Sequence, residues 1–358
     1  MINNWHWFFK VCILFLAIFI FWFFVASVIP KILPTKVISG EIRGLIFQNQ
    51  IWRGDIFING DLVTLPNVRI TITPGTKVYI SKSGDKNNFD LLPWHLNHGV
   101  NTGPEMRGVL TGEPFWDEKE KVFVYISNLT AEGSKEQPII FTSSGGEGSP
   151  YDINLIRIEN GELSRVNLSN YRRLEAGPNV LFLNSTFENT GECAICIQKG
   201  NPLIKENTFK KGKRDFINIF DATPLILANK FLESEGDGIS VQTNQNNQVR
   251  IFNNLFTMPS RKVIKIKTIN QKGDIAGNNF ILGEIELPCS NKVRLTNNLI
   301  RVKILFKNIG GCSGEYLIYE NYWEIMDIQS ILNARISGTT SQFQVKISKI
   351  LKNPPKDR

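Results

Sequence analysis

At 358 residues the chain has room for one large domain or two ordinary ones, and 42% hydrophobic residues exclude wholesale disorder. Frequent Gly (28) and Asn, with only 4 Met and 3 His, suit a turn-rich β protein. The net charge of +8 is compatible with nucleic acid, acidic polysaccharide or a lipid surface and selects none of them. Five Cys in a chain this long exclude a dense disulfide framework, and no four-ligand zinc spacing occurs.

After a short tail (1–10), residues 11–29 read VCILFLAIFIFWFFVASVI without a charge. Nineteen helical residues span about 28 Å, close to the hydrocarbon thickness of a bilayer. Trp5 and Trp7 lie near one end, Lys10 precedes the run, and Lys31 and Lys36 follow it. The expectation is a single-pass transmembrane signal anchor in the cell membrane, with the body outside the cytoplasm. The rival is a cleaved signal peptide, for which Val25-Ala26-Ser27 is a weak site and the run too long. Residues 30–39 read as a linker, 40–160 as the first rungs of a solenoid interrupted by an insertion at 81–121, 161–323 as its regular part, and 324–358 as a C-terminal cap and tail.

The solenoid comes from a repeat of the form apolar-x-x-Asn-x-aromatic. It runs Ile204-Lys-Glu-Asn207-Thr-Phe209, Ile226-Leu-Ala-Asn229-Lys-Phe231, Ile251-Phe-Asn-Asn254-Leu-Phe256 and Ile275-Ala-Gly-Asn278-Asn-Phe280. Leu295-Thr-Asn-Asn298-Leu-Ile300 and Ile318-Tyr-Glu-Asn321-Tyr-Trp323 continue it, and Phe182-Leu-Asn-Ser185-Thr-Phe187 is a degenerate first copy. From Phe187 to Trp323 the steps are 22, 22, 25, 24, 20 and 23 residues. Each copy is then one turn, with an internal aromatic ladder and an Asn ladder at a bend. Asn tolerates the left-handed conformation there, and its amide can bond equivalent amides above and below. A second strand follows each bend and points Ile195/Ile197, Ile217/Ile219, Ile239/Val241, Ile264/Ile266, Ile285/Leu287 and Ile304/Phe306 inward. A leucine-rich repeat needs further upstream leucines where this chain has Lys199 and Pro202, or Asp221 and Pro224. The fold class is therefore all-β, a single-stranded right-handed parallel β-helix of 20–25 residues per rung.

This Asn-x-Phe ladder resembles the β-helix repeat of the pectin-lyase-like superfamily and its bacterial and archaeal surface proteins. Trp52-Arg-Gly-Asp-Ile-Phe-Ile and Ile70-Thr-Ile-Thr-Pro74-Gly75-Thr76 resemble the first rungs of such proteins. Ala131-Glu-Gly-Ser-Lys-Glu-Gln-Pro138 resembles an early turn, while Val345-Lys-Ile and Leu351-Lys-Asn-Pro-Pro355 resemble a C-terminal cap. The resemblance implies fold more than activity, because the superfamily includes lyases, hydrolases, esterases, adhesins and proteins without known activity.

Chemistry is sparse. Asp-Asp pairs, Gly-His-Gly and Arg-Ile-Lys are absent, and Asp215, Asp221 and Asp237 read as separate surface acids near turns. An outward cluster of three carboxylates on neighbouring rungs would favour an enzyme, and none is evident in the sequence. The insertion holds Trp94, His95, His98, Trp116, Asp117 and Glu118. It reads as a loop packed over an open edge, with His95 and His98 as the alternative ligand-binding pair. Between Lys205 and Lys307 there are 17 Lys/Arg against 9 Asp/Glu. Pairing of Lys265/Lys267 with Glu284/Glu286, next to Lys303, accounts for part of that charge at about 0.2–1 kcal/mol per pair. The excess at Lys211, Lys213, Arg214, Arg261, Lys262 and Arg301 marks a candidate surface for an anionic polysaccharide, cell-envelope component or surface partner. Nucleic acid is not expected, since the aromatic residues belong to the core, and no cofactor is expected. The preferred function is a non-enzymatic surface scaffold; the alternative is an atypical polysaccharide lyase or glycoside hydrolase.

Two cysteine pairs complete the reading. Cys193-Ala-Ile-Cys196 leads into a strand, whose alternation sends thiols three apart to opposite faces and speaks against a redox role. Cys289 and Cys312 each lie four residues before equivalent positions, Val293 and Tyr316, and so share a turn on consecutive rungs. A spacing of ~4.8 Å there permits either a disulfide or two stacked thiols.

Overall fold

The computed structural model describes residues 10–18, 20–21, 28–82, 122–145, 148–242, 248–268, 272–307, 314–324, 327–339 and 342–354. Twenty-five strands form one continuous sheet, and among the described residues every ladder between them is parallel. Antiparallel strands close through short hairpins, whereas parallel ones need the chain to travel round and return, which a solenoid does once per rung. The first rung opens with β1 (Lys36–Ile46), inside the segment expected as a linker, and β1 pairs in parallel with β2 (Gln50–Thr64).

The rungs stack in the register that the repeat implies. Phe187 pairs with Phe209, Phe209 with Phe231, Phe231 with Phe256, Phe256 with Phe280, Phe280 with Ile300 and Ile300 with Trp323. The five Phe rings lie 4.7–5.1 Å apart and within 16° of parallel. That separation equals the strand spacing, so each ring covers the next and water is excluded. Ile195, Ile197, Ile217, Ile219, Ile239, Val241, Ile264, Ile266, Ile285 and Leu287 are all fully buried on the second strand.

At the bend each buried Asn serves the rung before it. The Nδ2 of Asn207, Asn229, Asn254 and Asn278 donates to the next Asn Oδ1 at 3.0 Å, and that of Asn298 to Asn321 at 2.9 Å. The same Oδ1 atoms accept the backbone N–H of the preceding Asn at 2.8–2.9 Å. The left-handed residue is the one before the ladder, not the ladder Asn itself: Asn184, Glu206, Ala228, Asn253, Asn297 and Glu320 have φ between 51° and 59°. Those side chains face solvent, so several residue types serve there, whereas the next position must place an amide inside the bend.

The C-terminal cap forms as expected. Asp327 Oδ2 accepts from Ser330 N at 2.7 Å to start the helix Ile328–Arg335, and Phe343–Ile350 adds a last parallel strand to Gly314–Trp323. At the other end, residues 10–18 and 20–21 are helical. Among the described residues no helix is long and apolar enough to cross a membrane, so the expected 11–29 anchor helix is not supported; residues 19 and 22–27 lie outside the described set.

Phe256 has neighbours stacked on both faces. Phe256→Ala should therefore cost about 3–5 kcal/mol through lost burial and the cavity left behind. Lys346→Ala, at an exposed position, should leave the thermal melt unchanged. Equal losses in the two melts would overturn the inside–outside assignment.

Candidate functional site

Where each rung passes from its first strand to its second, the outward charge alternates in sign along the solenoid. The rung of Phe187 carries Glu188 and Glu192, and that of Phe209 carries Lys210, Lys211, Lys213 and Arg214. Glu233, Glu235 and Asp237 follow on the Phe231 rung, then Arg261, Lys262 and Lys265 on the next. Glu284 and Glu286, then Arg301 and Lys303, and finally Glu324 complete the series.

Stacking turns this alternation into ion pairs between rungs. Lys210 and Lys211 reach Glu188 at 2.8 and 2.9 Å, and Lys213 pairs with Glu235. Lys265 reaches Asp237 at 3.1 Å, Lys262 reaches Glu284 at 2.7 Å, Lys307 reaches Glu286 at 3.2 Å, and Arg301 reaches Glu324 at 2.8 Å. Partial burial alone would raise the Glu188 pKa, but the two lysines outweigh it and hold the carboxyl below its ordinary value. Of the basic residues singled out from the sequence, Lys211, Lys213, Lys262 and Arg301 thus face acidic neighbours. Lys262, not Lys265 or Lys267, takes Glu284, because a register shift between Lys262 and Ile264 moves the pairing.

A cavity of ≈ 380 Å³ opens at this corner between Lys211, Lys213, Glu233, Ser234, Glu235 and Asn189. Gly212 forms its floor, where a Cβ would come within 2.7 Å of the buried Phe216 ring. Lys211, Lys213 and Arg214 share this turn. Arg261 and Lys262 sit two rungs further along, and Arg301 four rungs, about 19 Å away at the ~4.8 Å spacing. His95 and His98 lie outside the described residues.

Two residues beyond the cavity, the structure joins acids that the sequence reading kept apart. Asp215 opens the second strand of its rung, Asp237 lies two residues before that of the next, and Asp237 N–H donates to Asp215 Oδ1 at 3.3 Å. Asn218 Nδ2 donates to the other Asp215 oxygen at 3.3 Å. Burial first, and then the Asp237 charge, push the Asp215 pKa up, with Lys267 and Lys265 opposing. Lys265, in register with the buried Glu286, completes a column of three carboxylates and one ammonium. Asp221 is not part of it, pairing in register with Lys199 at the far end of its strand. The column was missed because its members are 22 and 49 residues apart in sequence and meet only through the rung register.

Further toward the N-terminus the same face carries a guanidinium–carboxylate network. Arg157 bonds Glu159 at 2.6 Å and Glu175 at 3.1 Å; Arg173 forms an ion pair with Glu175 at 3.2 Å, and Arg172 one with Glu192 at 3.0 Å. Between this network and the Asp column lies a disulfide, Cys193–Cys196, with Cα atoms 5.8 Å apart. The expected opposite-face placement fails, because an extra residue bulges between them: Arg173 and Glu175 pair with Cys193 and Cys196. A bulge breaks the two-residue alternation and turns both thiols to one side. Cys289 is also disulfide-bonded, and its expected partner Cys312 lies outside the described residues. Cys12 is free.

Residues 115–281 match the family described as right handed beta helix region. With the parallel ladders extending the same winding from Lys36 to Ile350, the chain is a right-handed parallel β-helix protein, and the pectin-lyase-like resemblance is consistent with this. No curated protein and no solved structure matches it.

Two outcomes check this geometry. With its folded pKa raised above the unfolded value, Asp215 supports the fold at low pH and loses that contribution as pH rises from the unfolded pKa through the folded one. Asp215→Asn should accordingly raise the melting temperature at pH 7, and the gain should shrink as pH falls to about 4, the ordinary Asp range. In non-reduced peptide maps Cys193 and Cys196 should be joined, Cys289 should be joined to Cys312, and only Cys12 should alkylate. A map joining Cys289 to another residue would break the register of the last rungs.

Proposed function

We propose that the protein is a membrane-attached scaffold, held outside the cytoplasm by its N-terminal apolar segment, that binds a hydroxyl-rich glycan along its charge-alternating corner. The observation that carries the reading is the polar cavity in which Lys211, Lys213 and Glu235 are paired across neighbouring rungs. Such groups are preorganised donors and acceptors, so binding costs little side-chain entropy. They repeat at the ~4.8 Å rung spacing, close to the length of one pyranose in an extended chain. Net positive charge by itself would point to an anionic envelope polymer. Cross-rung pairing of Lys211, Lys213, Lys262 and Arg301 favours instead a ligand recognised by hydrogen bonds. The uncharged run 11–29 supports attachment.

The second reading is an atypical glycoside hydrolase or polysaccharide lyase. It is favoured by the Asp215–Asp237 pair, in which one carboxyl has a raised pKa and the other contacts Lys265 at 3.1 Å.

Full-length protein in detergent micelles, titrated with neutral and acidic glycans, tests both. Binding of a hydroxyl-rich glycan should change little with salt, and Lys211→Glu with Lys213→Glu should weaken it by about ten-fold. Binding confined to acidic glycans and lost in high salt would return the reading to a polyanion surface. New reducing or unsaturated chain ends, lost in Asp237→Asn, would establish the enzyme. Absence of any binding would overturn the glycan reading.

A further inference from the structure

The N-terminal end of the solenoid presents an open strand edge. β1 has β2 on one side and, among the described residues, no strand on the other. Natural proteins protect such edges, because the backbone N–H and C=O groups that point away from the partner strand invite pairing with any other strand. On this rim Val37 is 62% exposed, and Leu45 and Phe47 are each 49% exposed. Beside them a cavity of ≈ 450 Å³ opens between β1 and the start of β2. Lys36 and Arg43 stand exposed among these apolar side chains. Ile32, in the short helix leading into β1, is 65% exposed.

A second observation identifies what meets this rim. Upstream in the sequence, Ile13, Leu14, Phe15, Leu16, Ile18, Ile20 and Phe21 on the helical residues are each more than half exposed. In the sequence this apolar stretch precedes Ile32 and the rim of the first rung.

We infer that the first rung docks on the lipid surface, with Val37, Leu45 and Phe47 dipping into the headgroup region and Lys36 and Arg43 meeting lipid phosphates. An open strand edge cannot enter hydrocarbon, where its backbone groups would go unpaired. At headgroup depth water and phosphate satisfy them, apolar side chains gain from partial burial, and cations gain from anionic lipid. Docking thus covers the edge and stands the solenoid upright, its charge-alternating corner running away from the membrane. This rests on the reading of 11–29 as a membrane anchor.

Site-directed spin labels on the full-length chain in vesicles containing anionic lipid test the two levels separately. A label on the native Cys12 reports the anchor. In a Cys12→Ser background, labels at Phe47→Cys and at the distant, exposed Leu317→Cys report the rim and the opposite end. The Cys12 label should be reached by oxygen and shielded from a water-soluble nickel chelate. The Phe47 label should collide with the chelate several-fold less often than the Leu317 label, and Lys36→Glu with Arg43→Glu should remove that difference. A shielded Cys12 label with Phe47 as open as Leu317 would overturn the docking while leaving the anchor. An open Cys12 label would overturn both. Spin–spin broadening at Phe47 would overturn it in favour of a second copy stacked on the edge.

Discussion

Every other feature of this molecule depends on the buried Asn amide at each bend. The amide fills the gap that the turn leaves in the backbone ladder, accepting one N–H and donating to the next amide and to a carbonyl of the rung before. An Asn left without its neighbour would bury unpaired donors and acceptors at about 1–3 kcal/mol each. The stack is therefore satisfied only when consecutive rungs are in one register. A slip of one residue would orphan the amides and also point the Phe ladder at solvent. The 20-to-25-residue variation in rung length is absorbed in the connections between bends, where nothing comparable is at stake.

That register determines the surface as well as the core. Once Phe209, Phe231 and Phe256 are aligned, the residues following them are aligned too, and basic rungs fall between acidic ones. The consequence is a corner rich in charge yet poor in net field. Long-range steering of a polyanion needs uncompensated charge, whereas local hydrogen bonding needs fixed groups. The structure supplies the second condition at the cavity by Lys211 and Lys213 and weakens the first along the whole corner. The same stacking buries Asp215 and sets it against Asp237, and burial first, then the neighbouring charge, raise its pKa without any special motif in the sequence.

The two ends of a solenoid are its weak points, since each leaves a strand without a partner. Here they are treated differently. The C-terminal end is closed from within, by the helix Ile328–Arg335 and the last strand Phe343–Ile350, whose Phe343 ring packs 5.3 Å from Phe306. The N-terminal edge keeps apolar and basic side chains exposed.

The sequence by itself determined the architecture, the length of each rung and which residues face inward. These follow from short-range patterns: two-residue alternation within a strand and one Asn-x-aromatic signal per turn are enough to set them. The same counting puts Cys289 and Cys312 in one turn on consecutive rungs, while leaving open whether they are bonded. Only the tertiary structure decided which outward groups touch. The bulge between Cys193 and Cys196 reverses the facing of a thiol, and the register shift at Lys262 exchanges one lysine for another opposite Glu284. Both are displacements of a single residue, invisible in composition and periodicity, yet enough to turn a side chain to the opposite face. The left-handed residue before each Asn, and the meeting of Asp215 with Asp237, were likewise set by how one rung sits on the next. Inward positions are specified by hydrophobicity, which each residue carries alone. Contacts on the outside are properties of pairs, and the pairs exist only once the rungs have stacked.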